Sequence, residues 1–269
     1  MTLRFSPALQ NFIATQGSWK NFFDNGHILI YSGTQPATPN LAVTGTLLAT
    51  ITSGSGTKTN EVLGTGVLTI SGTTSGTVDT CTLMGVDILG GAVAHTGDNN
   101  TMATAVALKI NRNPANTMVV ASTTGASGVI TLTAHPGFGT TLNSGALTFT
   151  ATTTTAAVTS TTFGSGTGGS VAGVAAANAL RMDYNAAAGV FTKDTTQTWS
   201  GAAVATGTAG WFRYIGSIAD AGSLDSSAVY LRMDGSIATS GAEMNMSSTN
   251  VTSGATQTLS TFQLTIPAA

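Results

Sequence analysis

The sequence predicts a mainly β protein, an antiparallel β-sandwich of jelly-roll-like character with an N-terminal helix and a small inserted α+β domain. Three observations predict it. Short runs of alternating apolar and polar residues recur along the 269 residues, separated by turns rich in Gly, Ser, Asn and Asp. Thr, Ser, Gly and Ala fill the rest: Thr suits exposed pleated positions, and Gly suits turns and close backbone approach. Two Gly/Ser-rich stretches, 53–64 and 164–169, bracket a segment of different composition. The expected organisation is a discontinuous sandwich, 1–65 plus 170–269, with 66–169 inserted as an α+β module. Insertions of this kind are tolerated where their own ends lie close together.

The elements follow in chain order. Ser6-Pro7 reads as an N-cap with proline in the first helical position. Ala8, Leu9, Phe12 and Ile13 then share a helical face, and Trp19, Phe22 and Phe23 share another after Ser18. This helical region is either a lid on the β-core or an arm that packs on a neighbouring subunit. His27–Tyr31 is a buried strand; Pro36 and Pro39 prevent regular pairing in the loop that follows; Thr46–Thr52 is the next strand.

In the insertion, Gly66–Ile70, Thr77–Met84 and Val86–His95 read as strands. A helix capped by Asp98, Asn99 or Asn100 carries the stripe Met102, Ala103, Val106, Ala107 and Ile110, and ends at Asn113-Pro114. Thr117–Ser122 and Gly128–Ala134 form a hairpin, and Ala146–Thr150 and Ala157–Phe163 are weaker strands. Ala177–Tyr184 and Gly189–Lys193 lead back to the sandwich. The last quarter closes it with Ala209–Ile215, Ala228–Met233 and Thr256–Ile266. In that quarter Val229, Leu231 and Met233 are expected on one face, and Asp234-Gly235 at a hairpin turn.

Two blocks carry a resemblance. One is LRFSPALQNFIATQGSWKNFFDNGHILIYSGTQPATPNLAVTGTLLATIT at 3–52. The other is W-S-G-x-x-V-A-T-G-T-A-G-W-F-R at 199–213, with R-x-D-G-S-I-A-T-S-G-A-E-M-N-M-S-S-T at 232–249 and a terminal strand ending I-P-A-A. Together they resemble a family of small tailed-bacteriophage virion proteins. The stretch V-x-x-x-x-x-M-G-V-D-I-L-G-G-A-V-A, with the helix T-A-x-A-V-A-x-x-I-N, is similar to a module recurring in phage structural proteins. The resemblance implies a structural virion component with no established chemistry. It acts through subunit contacts as a head decoration or a neck or tail accessory part, assembled in the bacterial host cytoplasm. The implied partners are other copies of the chain and other capsid, neck or tail proteins.

Composition points the same way. Only 7% of residues are charged, with nine basic against eleven acidic side chains and a net charge of −2. So weak a field does not steer a polyanion, so nucleic acid is not an expected partner. A surface of hydroxyls rather than charges is poorly defended against self-association. Cys81 is the lone cysteine, which reads as a buried strand residue and rules out an intramolecular disulfide. There is no signal-peptide layout at MTLRFSPALQ and no apolar run long enough to span a bilayer, so no membrane association is expected.

Tests for chemistry return structural readings. His27, His95 and His135 are widely spaced with no G-x-S-x-G elbow. Zinc needs clustered Cys and His, and GSGTKT at 54–59 lacks the phosphate-loop spacing. Asp98, Asn99 and Asn100 lack a calcium loop around them. Asp220, Asp225, Asp234 and Glu243 could supply a facing carboxylate pair, although loop and turn positions explain them too. The sequence therefore gives no catalytic residue, cofactor or metal. Candidate interface residues are the large aromatics Phe12, Trp19, Phe22, Phe23, Trp199 and Tyr214. The alternative function is a β-sandwich glycan-binding or adhesin module, with Trp199, Trp211, Tyr214 and Tyr230 as the sugar platform.

Overall fold

The computed structural model describes residues 3–15, 17–72, 76–95, 97–123, 128–152, 156–160, 162–183 and 190–265, with backbone alone at 156–160. In chain order the first elements are β1 (Arg4–Phe5), α1 (Pro7–Thr15), α2 (Trp19–Phe23), β2 (His27–Ser32) and β3 (Leu47–Ser53). Then come β4 (Thr65–Gly72), β5 (Thr77–Leu83), β6 (Val86–Asp87), β7 (Val93–Ala94), α3 (Asn99–Arg112), β8 (Val119–Thr123), β9 (Val129–Ala134), β10 (Leu147–Thr152) and β11 (Ala156–Ser160). The chain closes with β12 (Met182–Asp183), β13 (Val190–Lys193), β14 (Trp199–Ala202), β15 (Gly207–Ile215), β16 (Arg232–Ala238), β17 (Met244–Asn245), β18 (Asn250–Val251), β19 (Thr256–Leu259) and β20 (Gln263–Thr265). At 40% strand and 12% helix the protein is mainly β, antiparallel and sandwich-like.

Two compact units divide the chain: Met1–Glu61 with Ala176–Ala269, and Val62–Ala175. The sequence places these boundaries a few residues further into the insertion. They move outward because Val62 and Val174 exchange backbone bonds of 3.0 and 2.9 Å, and Thr65 N–H donates to Val171 O at 2.9 Å. The Gly-rich stretch 164–169 is tied down as well. The Ser165 hydroxyl bonds those of Thr167 and Ser170 at 3.0 and 2.7 Å.

In the first unit, strands from both ends of the chain build one sheet in the order β1-β16-β15-β2-β3-β14-β19, with β18 on β15 and β17 parallel on β16. Ile30 faces Phe212 across β2 and β15, and Trp199 faces Ser53 across β14 and β3. A smaller sheet, β12-β13-β20, completes the unit. Ser6 caps α1 as the sequence suggests, its hydroxyl accepting from Leu9 N at 3.2 Å, and Ser18 caps α2 through Asn21 N at 3.1 Å. Both helices turn aromatics inward. Phe22 and Phe23 are fully buried, their ring centroids 4.8 Å apart and each within 5.3 Å of Tyr214. A fully buried side chain of this size stabilises by about 1.5–3 kcal/mol.

The inserted unit holds two antiparallel sheets, β11-β4-β9-β8 and β10-β5-β6 with β7 on β5. Asp98 caps α3 by accepting from Thr101 N at 2.8 Å. The stripe Met102, Ala103, Val106, Ala107 and Ile110 is buried, as its spacing predicts, in one core with Leu68, Val119, Ile130 and Leu132. Cys81 is buried in this core, and burial pushes its thiol up to about 12, so it is an inert apolar filler.

Several local expectations fail for identifiable reasons. Asp234-Gly235 is not a turn; both lie inside β16, and Gly235 sits against the Phe212 ring, where a Cβ would come within 2.5 Å. Val229 does not join the apolar face of a strand; it is 54% exposed. The Asp225 carboxylate takes the Val229 and Tyr230 amides at 3.1 and 2.9 Å, donors that a strand ladder would have used. Val86–His95 breaks in two where Gly90 and Gly91 adopt φ of 69° and 121°. Thr256–Ile266 splits between the two sheets at Ser260–Phe262, and Ile266, like Tyr184 and Gly189, lies outside the described residues. Strand β14 is too short to stand out in the sequence. Its signal is Gly201, whose Cβ would lie 1.8 Å from Thr50 O, so glycine alone allows β14 to approach β3.

Candidate interaction surface

Adjacent strands β15 and β16 put Arg213 directly opposite Asp234, and Ile215 opposite Arg232. Arg213 donates to Asp234 through Nε and Nη2, both at 2.7 Å. Arg232 donates to Asp220 through Nε and Nη2, both at 2.6 Å. All four side chains are buried. Planar two-pronged pairs of this kind fix geometry as well as charge.

The remaining donors reach a loop that cannot form a ladder of its own. Arg213 Nη1 donates to Leu41 O at 3.3 Å, Arg232 Nη1 to Pro39 O at 3.0 Å, and Arg4 Nη1 to Pro36 O. Arg232 Nη2 also holds Ser223 O at 2.9 Å, in a second loop between β15 and β16. The two loops bond each other, Val43 N to Gly222 O at 2.9 Å and Asp225 N to Asn40 O at 2.7 Å. Three arginines thus replace the hydrogen bonds that a proline-containing segment cannot make with itself. Stacking adds to the clamp: Arg232 lies 4.9 Å from the Tyr230 ring, Arg213 lies 5.5 Å from Trp211, and Trp211 stacks on Tyr31 at 4.6 Å.

Leu41, Leu224 and Val229, 39%, 57% and 54% exposed, project from these clamped loops. Large apolar side chains on loops held this rigidly lose little entropy when they meet a partner. The sequence pattern missed Leu41 and Leu224, whose only signal was an apolar residue within a turn-rich stretch, and it placed Val229 on the apolar face of a strand.

The four carboxylates considered for catalysis separate into structural roles. Asp234 and Asp220 pair with arginines, Asp225 terminates a turn, and Glu243 accepts from Ser236 N at 2.9 Å and from its hydroxyl. Burial pushes the Asp234 carboxyl above the usual carboxylate range, while hydrogen bonds and the Arg213 charge oppose the shift. Burial works to raise the Glu243 carboxyl too, but the Ser236 bonds outweigh it and hold the group low.

His27 lines a polar cleft of about 460 Å³ with Lys58 and Asp220. Burial, with the Lys58 charge adding, holds its imidazole neutral down to about 3. Lys58 Nζ donates to Asn60 Oδ1, Ser217 O and Gly216 O at 2.9, 3.2 and 3.4 Å, which occupies the ammonium within the fold. His135 is buried in the other unit, and His95 lies in that unit too. No group of three or more metal-ligating side chains occurs among the described residues.

The aromatic candidates need correction. Phe22, Phe23, Trp199 and Tyr214 are 0% exposed and Phe12 is 9% exposed, so they form the first unit's own core and present no surface to a neighbour. Trp19 is half-buried, packed on Phe5 at 5.2 Å and Phe23 at 6.1 Å. The helices are a lid, as the first of the two readings had it. The sugar platform fails in the same way, because Trp199, Trp211 and Tyr214 are buried and only Tyr230 is partly exposed. No family model, curated protein or solved structure matches the chain.

Proposed function

We propose that this chain is a structural protein of a tailed-bacteriophage particle, acting by subunit contact as a head decoration or a neck or tail accessory part. The observation that carries the reading is the clamped loop pair. Arg213 and Arg232 are fully buried and, with the half-buried Arg4, hold loop carbonyls, and the loops they fix expose Leu41, Leu224 and Val229. A protein with this distribution keeps charge off its surface and presents preorganised apolar contacts, as a subunit of a repeating assembly does. The resemblance of the two terminal blocks supports the same reading. Those blocks supply both halves of the clamp, the TQPATPN loop and the R-x-D strand.

The test is peptide mass spectrometry of density-gradient-purified particles from a lysate of the host that carries the coding sequence. The chain should appear in stoichiometric amount with the shell and tail proteins. A chain abundant in the lysate but missing from the particles would overturn the proposal.

A further inference from the structure

Helix α3 carries two stripes. The first is the buried one. The second, Ala105, Leu108, Lys109 and Arg112, is spaced three and four apart, so it also lies along one face. With Gly90 and Val93 opposite, this second stripe lines a cleft of about 520 Å³, within the range of ligand-binding clefts. Leu108 is 46% exposed there.

The charges around it are unevenly committed. Asp79, Asp87 and Asp98 all have structural work: Asp79 takes the Thr77 and Thr152 hydroxyls, Asp87 the Leu89 and Gly90 amides, and Asp98 caps the helix. Lys109 and Arg112 are the only lysine and arginine in 62–175. Neither forms an ion pair or donates a side-chain hydrogen bond among the described residues. The helix dipole favours a cation in the last turn. It does not require both cations on the face that exposes Leu108 beside a cleft.

We propose that this cleft docks a segment of another protein in which an Asp or Glu stands next to an apolar side chain. The apolar group packs between Leu108 and Val93, and the carboxylate meets Lys109 and Arg112. Charge complementarity selects an acidic segment over a neutral one. A peptide suits the site better than a fatty chain, because a half-exposed Leu108 on an open cleft gives an alkyl tail no enclosure. The site belongs to the inserted unit alone and stands independently of the virion reading.

The test uses the full chain and a fluorescein-labelled peptide, Gly-Leu-Asp-Leu-Glu-Gly, against its Asn/Gln counterpart. Fluorescence anisotropy measures affinity, and amide chemical shifts locate binding. The acidic peptide should bind saturably and shift the amides of 89–93 and 105–113, with the neutral one about tenfold weaker. Lys109→Gln and Arg112→Gln should each weaken binding several-fold while leaving the thermal melt unchanged, and added salt should weaken it further. Equal binding of both peptides, shifts elsewhere, or no saturation by about 5 mM peptide would overturn the proposal. So would sodium dodecanoate binding at the cleft where the peptide does not, which would assign the site to an anionic amphiphile.

Discussion

Replacing Arg232 by Met tests the clamp most directly. The substitution keeps much of the side chain's bulk and removes four donated hydrogen bonds. It leaves the Asp220 carboxylate, 1% exposed, with the Gly222 amide at 2.8 Å as its one hydrogen-bond donor among the described residues, and strips Pro39 O and Ser223 O of the guanidinium. Breaking a buried ion pair from one side costs about 3–5 kcal/mol, and the orphaned carbonyl of buried Pro39 pushes toward the upper end. We expect a loss of about 4–5 kcal/mol, a large part of the 5–15 kcal/mol typical of a folded domain. Arg232→Lys keeps the charge without the fork and should lose about 1–3 kcal/mol. The double variant Arg232→Met with Asp220→Asn should fall short of the summed single losses by about 2 kcal/mol, because neutralising Asp220 relieves the stranded charge. Urea unfolding followed by tryptophan fluorescence reads the right unit, since Trp19, Trp199 and Trp211 all belong to the first unit. A loss below about 1 kcal/mol for Arg232→Met, or an additive double variant, would refute the idea that the guanidinium organises the loops.

Other outcomes follow from the same structure. His27 and His135 have folded-state values lowered to about 3 and about 4, each first by burial. Their stabilising contribution is therefore complete above about 6.5 and declines as pH falls toward those values, by up to about 1.4 kcal/mol per pH unit for each. His27→Leu should flatten the acid limb of the tryptophan-detected stability profile, and an unchanged limb would count against the assignment. Gly235→Ala forces a Cβ to within 2.5 Å of the buried Phe212 ring and 3.1 Å of Glu243 Cβ; a melt should show a loss of about 1–3 kcal/mol. Leu224→Asp with Val229→Asp should leave stability within about 0.5 kcal/mol while abolishing assembly seen by light scattering, since neither side chain is packed in the core. Excising 62–175 and joining the ends by a Gly-Ser turn should preserve a cooperative tryptophan-detected melt. Thr59 and Ala177 already bond each other at the cut, at 3.2 and 2.9 Å, and loss of cooperativity would show that the first unit needs the insertion.

Periodicity revealed what packing alone decides. The α3 stripe, the Ser6-Pro7 start of α1 and the β2 and β15 strands were legible because each buries a face whose spacing is written in the residues. Position 235 was not: an Asp-Gly pair favours a turn locally, yet here the aspartate meets Arg213 and the glycine makes room for Phe212, both distant in sequence. The aromatics misled in the opposite sense. Their size marked them as important, but size does not say whether a ring meets its own core or a neighbour, and the pairing of β2 with β15 settled that for Tyr214. The Leu41, Leu224 and Val229 surface was hidden because its rigidity comes from side-chain donors on another strand, which no local pattern encodes.

Pairing between β2 and β15 has a temporal consequence for a chain made from one end. Ile30 emerges about 180 residues before its partner Phe212. At 5–20 residues per second the ribosome leaves β2, β3 and the two N-terminal helices waiting roughly 10–35 seconds for the strands that cover them. Residues 62–175 carry a complete set of pairing partners and can close first. The nascent chain therefore holds a finished module behind an unfinished one, with Leu9, Phe12, Phe22 and Phe23 unsheltered. Those four residues are where a holding chaperone would grip it, and that grip would have to release only once β15 and β16 have left the tunnel.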